Sequence, residues 1–155
     1  MRVLLLGATG TIGQATARAL VSCGHEVVCL VREKSDANGE ITPAEIFLNT
    51  AGVEIQYGNV LDTGSVVDAN WLQQPFDAFV SCLASRNGTP RDAWAIDYQA
   101  HSDWLKLAMN KGIKHFVLLS AICVQKPLLG FQQAKLAFEN ELMASGLTYS
   151  IVRPT

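Results

Sequence analysis

Val3-Leu4-Leu5-Leu6-Gly7-Ala8-Thr9-Gly10-Thr11-Ile12-Gly13 joins a short apolar run to a segment, residues 11–22, whose apolar residues recur at three- and four-residue steps. The order strand, glycine turn, helix gives the three glycines at G-x-x-G-x-x-G spacing a physical purpose. Gly7 allows a tight turn, Gly10 lets backbone approach a bound pyrophosphate, and Gly13 lets the helix pack close to the strand. The free amides and positive dipole end of the helix then face the negative charge. Gly7, Thr9, Gly10, Thr11, Ile12 and Gly13 are the expected phosphate-side residues.

Outward from this turn the same alternation repeats. Apolar runs fall at residues 3–6, 27–31, 53–57, 78–82, 115–120 and 148–152, with helical patterns at 11–22, 43–49, 65–72, 93–110 and 131–144. The runs are continuous, as expected of strands covered on both faces of a parallel sheet. Gly24, Gly52, Gly112 and Gly146 stand where four helices should close. The pattern predicts an α/β doubly wound parallel sheet, a Rossmann fold, with strand order 3-2-1-4-5-6. Its ligands bind at the carboxyl rim, where the three least regular stretches, residues 33–42, 83–92 and 121–130, are expected.

Composition narrows the ligand. The 155 residues are 49% hydrophobic and 17% charged, with 12 basic and 14 acidic side chains, enough apolar content for one core and no basic face for nucleic acid. No apolar run reaches the length of a membrane span. Cys23, Cys29, Cys82 and Cys123 have neither metal nor disulfide-scaffold spacing and are expected as reduced core thiols. His25, His101 and His115 stand apart, so no metal site is expected. The chain starts Met1-Arg2 without a charged leader, which suits a cytoplasmic protein or the mature form of an organelle protein.

At the end of the second strand, where NAD-selective folds carry a carboxylate, this chain has Arg32. A guanidinium holds a 2′-phosphate by paired charge-assisted hydrogen bonds, which points to NADPH, with Lys34 as a helper. The alternative is a solvated loop charge. Asp62, after the third strand, meets the adenine or caps the following helix.

Phe131-Gln132-Gln133-Ala134-Lys135 follows a strand ending in Ser120, at the place where short-chain dehydrogenases carry Tyr-x-x-x-Lys. With the glycine turn and Arg153-Pro154-Thr155 after the sixth strand, the chain resembles an atypical, NmrA-like short-chain dehydrogenase/reductase. The departure is Phe131, whose ring has no proton to exchange. The block from Phe116 to Leu129, containing Ser120-Ala121-Ile122-Cys123-Val124-Gln125-Lys126-Pro127, with Ile96-Asp97-Tyr98-Gln99 upstream, is similar to the NADPH-dependent 8-vinyl reductases of chlorophyll and bacteriochlorophyll synthesis. That resemblance implies reduction of a carbon-carbon double bond on a tetrapyrrole, for which no carbonyl oxygen needs a tyrosine proton.

It further implies Lys135 as the catalytic residue, holding the nicotinamide ribose and placing positive charge near the reacting group. Ser81, Cys82, Leu83, Ala84, Ser120 and Pro154 would line the nicotinamide side. Gln125 and Lys126 meet a substrate propionate or stand solvated in a loop. Tyr98 is read as a packing or substrate-wall residue, and Trp71, Trp94 and Trp104 as core, with Trp94 alternatively against the macrocycle. Members of the family continue beyond the sixth strand, so a substrate-binding part is expected to be absent here and its uncovered surface to favour self-association. Two other readings remain: an NADP-sensing regulator without catalysis, and a reductase of another conjugated double bond.

Overall fold

The computed structural model describes residues 1–32 and 43–154. Six strands, β1 (Arg2–Leu6), β2 (Glu26–Val31), β3 (Glu54–Tyr57), β4 (Ala78–Ser81), β5 (His115–Leu119) and β6 (Thr148–Val152), form one parallel sheet in the order β3-β2-β1-β4-β5-β6. This is the predicted doubly wound fold. The order reverses between β1 and β4, and there Gly7 lies close against the Cys82–Leu83 main chain.

Alternate residues of the central strands feed two cores. Val3, Leu5, Val27 and Cys29 pack with Ala17 of α1 (Thr11–Ser22) and Leu48 of α2 (Pro43–Thr50). Leu4, Leu6, Phe79 and Phe116 pack with Trp104 of α5 (His101–Asn110) and Phe138 of α6 (Gly130–Ala144). In the second core the Phe79 and Phe116 rings stack at 4.5 Å and Phe138 lies 5.7 Å from Phe116, contacts that add to simple area burial. Gly24, Gly52, Gly112 and Gly146 all have φ between 72° and 80°, the left-handed helix closures expected of them.

Several expectations are corrected. Residues 65–72 do not form one helix. A 3-10 turn, Thr63–Ser65, is followed by the short α3, Asn70–Gln73, because Gly64, the β-branched Val66 and Val67, and Asp68 disfavour a continuous α-helix. The helix predicted from residue 93 starts earlier: Pro90 opens α4 (Pro90–Ala93), Thr89 caps it, and a π-helical segment, Trp94–Ala100, leads into α5. Burial on both faces holds for β1 and β4 and nearly all of β2. In β5 only Phe116 and Leu118 are buried, and β6 at the sheet edge stays half open. Cys29 is buried, its thiol pushed up to about 12 mainly by loss of solvent, but Cys23 and Cys123 are exposed and are not core residues. Trp104 is core, Trp71 packs at its margin, and Trp94 is 43% exposed, so it too departs from the core assignment. Lys34 and the stretch 33–42 lie outside the described residues. Among those described, no helix is long and apolar enough to cross a membrane.

Candidate functional site

A cleft of about 990 Å³ opens at the carboxyl rim of the sheet over the β1/β4 switch point. Its floor is the glycine turn. Gly7 has φ +75°, and a Cβ there would come within 2.5–2.7 Å of the Cys82 and Leu83 main chain. A Cβ at Gly13 would overlap the Gly7 carbonyl, so these two glycines are fixed by backbone meeting backbone. Gly10 differs: a Cβ there would meet nothing nearer than the Gly7 oxygen at 3.5 Å. The free space lies on the cleft side, where Gly7, Thr9, Gly10 and Gln14 form the wall. Among the described residues no side chain caps the first turn of α1, and no acidic residue stands in it, which suits its amides to an anion.

Behind the part of the cleft wall made by Leu83, Ser85 and Ile96 lies a set of buried side chains that do not themselves line it. Lys135, on α6, is 4% exposed and its Nζ lies 3.1 Å from Oδ1 of the fully buried Asp97. The same Nζ approaches the carbonyls of Leu83 and Leu119 at 3.4 and 3.5 Å, so Lys135 ties together the ends of β4 and β5. His101 Nδ1 lies 2.8 Å from the Ile96 carbonyl, which can only accept, so Nδ1 carries the proton. Nε2 therefore accepts from the Ser81 hydroxyl at 2.8 Å, and Ser81 Oγ in turn accepts from the Leu83 amide at 3.3 Å. Burial, aided by the Lys135 charge, holds the His101 imidazolium down to about 3. The ring is a neutral strut at working pH. Cys82 lies on the cleft wall with its thiol pushed up, chiefly by burial, and its Sγ 3.8 Å from Thr16 Oγ1.

The structure gathers Gly7, Thr9, Gly10, Arg32, Cys82, Leu83 and Ala84 around the cleft. Arg32 stands exposed at its mouth. Thr11 and Ile12 are exposed on the first turn of α1, and Gly13 is buried beneath it. Ser81 sits behind the wall, engaged with His101. Ser120 is buried and its Oγ has no partner among the described residues. Asp62 does not line the cleft; its carboxylate accepts from the Ser65 amide at 3.2 Å, the capping role, and Val60 of the same loop reaches the cleft instead. Pro154 is exposed and is not among the lining residues. Gln125 and Lys126 are exposed in the loop after β5. Tyr98 packs at the core margin, edge-on to Trp94 at 5.5 Å.

Three buried polar positions were not singled out in the sequence reading. Asp97 and His101 are one pair, polar residues four apart on a helix face otherwise carrying Ala93, Ala100 and Trp104. Charge on a core face was the available signal. The third is Gln132, whose Oε1 accepts from the amides of Leu128 and Leu129 while its Nε2 donates to the Ile122 carbonyl. It staples the loop after β5 to α6, leaving Ile122, Leu128 and Leu129 as an exposed apolar lip.

Residues 7–155 match the family model described as NAD(P)H-binding. The chain belongs to this NAD(P)H-binding family. Its cradle fits a nicotinamide dinucleotide: main chain and helix amides for a pyrophosphate on one side and, behind the wall on the other, a buried ammonium paired with Asp97, with two buried oxygens, Asp97 Oδ2 and Ser120 Oγ, that have no hydrogen-bond partner among the described residues. Among NAD(P)H-binding relatives, the divinyl chlorophyllide a 8-vinyl-reductases of Oryza sativa subsp. indica and Cucumis sativus are 46% and 48% identical over 99% of this chain, covering 39% and 38% of their own length. The chain thus spans about two fifths of the length of these curated relatives. The photosystem II assembly factor Ycf39 of Synechocystis sp. is 28% identical over 99% of this chain and 44% of its own. A solved putative NAD-dependent epimerase/dehydratase from Bacillus halodurans superposes with TM-score 0.81 at 28% identity, covering 99% of this chain and 70% of that one. The UDP-Glc/GlcNAc 4-epimerase of Campylobacter jejuni, at TM-score 0.83 and 19% identity over 98% of this chain and 52% of its own, shares the fold.

Proposed function

We propose that this chain is the NADPH-binding part of a reductase that converts the 8-vinyl group of divinyl chlorophyllide or protochlorophyllide to ethyl. The observation that carries the proposal is the 46–48% identity along 99% of the chain to proteins of that name. The site chemistry agrees with it. When bound, reduced nicotinamide supplies a hydride to a polarised double bond. The protein's part is to bind and orient. Gly10 and the first turn of α1 take the pyrophosphate, Arg32 takes the 2′-phosphate that distinguishes NADPH from NADH, and Lys135 holds the nicotinamide-side ribose and places a positive charge beside the reacting group.

Phe131 stands four residues before Lys135 where related enzymes use a tyrosine, and it has no proton to give. A carbonyl acceptor would need that proton on oxygen; a vinyl group conjugated with a macrocycle takes its proton on carbon after the hydride has added, and water can supply it. The apolar lip of Ile122, Leu128 and Leu129, with Trp94 exposed on the neighbouring helix, suits a flat, largely apolar substrate. Relatives carrying the word chloroplastic in their names suggest the plastid stroma should this be a plant protein. Likeness to the Ycf39 assembly factors over 99% of the chain supports a second reading, a nucleotide-binding module without turnover.

The test is a spectral assay with NADPH and divinyl chlorophyllide, run on the protein at the length of its relatives. Loss of one conjugated vinyl group shifts the Soret band to the blue, with NADPH consumed in equal amount. NADPH binding with no shift and no consumption would select the module reading.

A further inference from the structure

Among the described residues two cations line the cleft, and they stand on opposite sides of the glycine turn. Arg32 follows β2 and Arg86 follows β4, the two strands that flank β1 in the sheet. Neighbouring strands lie about 4.8 Å apart, so the arginines are rooted roughly 10 Å from each other along the rim. With the turn between them, they face different parts of a ligand laid across it.

The segment that carries Arg86 is exposed, yet it is held at nearly every residue. The Ser85 amide donates to Asp97 Oδ1 at 3.3 Å, and the amides of Arg86 and Asn87 both donate to Asp92 Oδ2, at 2.9 and 3.3 Å. Asn87 Oδ1 accepts from the amide and the hydroxyl of Thr89, which itself caps α4. Asp92 is the acidic residue nearest to Arg86 in sequence, and its carboxylate is occupied by main-chain amides. Among the described residues the Arg86 guanidinium has neither an ion pair nor a hydrogen bond. Glu45, the other carboxylate of the lining, belongs to α2, which packs against α1 and β3 on the far side of the turn. A free surface arginine is ordinarily solvated, but this one borders a concave site whose floor suits an anion. Arg91, equally exposed five residues on, is not among the lining residues.

Charge balance indicates what Arg86 meets. Both phosphates of a dinucleotide are ionised, whereas the amide end of a helix offers only about half an elementary charge. In a doubly wound sheet the dinucleotide crosses the crevice at the switch point, here between β1 and β4, with its pyrophosphate over the first helix end. Arg86 reaches the cleft from the β4 side of that point, and Arg32 from the β2 side, where the adenosine ribose is read.

We propose that Arg86 is the counter-charge of the pyrophosphate, meeting it from the β4 side of the cleft while Arg32 takes the 2′-phosphate. The proposal deepens the function proposed above and rests on its nucleotide-binding half alone. It names a residue that sets affinity for NADPH and NADH alike rather than the choice between them.

The experiment is a calorimetric titration of the chain, at low and at high salt, with NADPH, NADH and ADP-ribose, which keeps the pyrophosphate but has neither nicotinamide nor 2′-phosphate. Arg86→Ala, Arg86→Lys and, as a control with the same change of charge, Arg91→Ala are compared with the unsubstituted chain. Arg86→Ala should weaken all three ligands by one common factor, about five- to tenfold at low salt, and the factor should shrink as salt rises because an exposed ion contact is screened. Arg86→Lys keeps the charge without the planar fork and should recover part of the loss. Arg91→Ala should stay within about twofold of the unsubstituted chain. For NADPH, Arg86→Ala combined with Arg32→Ala should lose the product of the two single factors, since the arginines contact separate groups.

A loss confined to NADPH would put Arg86 on the 2′-phosphate, and a loss shared by NADPH and NADH but absent for ADP-ribose would put it at the nicotinamide; either overturns the proposal. Unchanged affinity for all three, the result expected if Arg86 serves the carboxylate of a substrate, would overturn it as well. So would a loss matched by Arg91→Ala, which would report distant charge alone, or a loss untouched by salt, which would mean that Arg86 holds its loop rather than the ligand. No NADPH binding by the unsubstituted chain would overturn it together with the nucleotide half of the function. Failure to reduce a tetrapyrrole, with these titrations as expected, would fall on the substrate assignment alone.

Discussion

Around β1 the nucleotide site is main chain. Gly7 and Gly13 exist because backbone lies where a Cβ would be, Gly10 leaves space open, and among the described residues no side chain caps the helix that follows. Between β4 and α6 the site is side chain: Lys135, Asp97, His101 and Ser81, all buried, each held by another of the set or by a neighbouring carbonyl. Main chain attracts a phosphate through fixed partial charges that carry no titratable proton. A buried charge pair costs desolvation and repays it only if the geometry is held, which the π turn and the strut from β4 accomplish. The first region should therefore fail through sterics and the second through charge.

The largest effect is expected from Gly13→Ala. Its methyl group would overlap the Gly7 carbonyl, and neither backbone can yield without moving β1 or α1. The expected cost is about 3 kcal/mol in urea unfolding, with NADPH binding lost. A stable variant that binds normally would show that helix and turn do not need this contact.

An effect of comparable size, specific to the side-chain region, is expected from acid. His101 in the folded protein takes a proton only near pH 3, whereas in the unfolded chain it does so near its ordinary 6.5. Between these values the unfolded state binds the extra proton, so stability is complete above about pH 6.5 and falls as pH drops toward 3. The contribution is on the order of a few kcal/mol. His101→Asn should be less stable at pH 7 but should lose less between pH 6.5 and 4 than the unsubstituted chain, read from urea midpoints across that range. Parallel losses in the two proteins would mean that His101 is not the buried neutral group described.

The contrast between the regions also explains what could be read in advance. The glycine turn was legible because backbone collisions dictate residue type at fixed spacing, and the strand order followed from alternating buried runs. Lys135 and Ser120 were singled out only through resemblance to a known motif. Asp97 and His101 were missed because residues 93–110 read as one uninterrupted helix; the extra residue of the π turn, which sets the face Asp97 presents to Lys135, has no visible period of its own. Asp62 was ambiguous for a different reason. An aspartate after a strand serves a ligand or a helix start equally well, and only coordinates show the Ser65 amide on its carboxylate. The broken helix at 65–72 reflects local chemistry, Gly64, Val66, Val67 and Asp68, overriding an apolar period.

Both regions must hold one nucleotide if the account is right, and Arg32 at the mouth of the cleft must choose which. Calorimetric titration with NADPH and with NADH, on the unsubstituted chain and on Arg32→Ala, tests this directly. The account predicts NADPH bound in preference to NADH, and a loss of about tenfold in NADPH affinity on Arg32→Ala with NADH unaffected, as expected for one charge-assisted phosphate contact at an exposed site. Equal affinity for the two nucleotides in both proteins, or binding of neither, would contradict it.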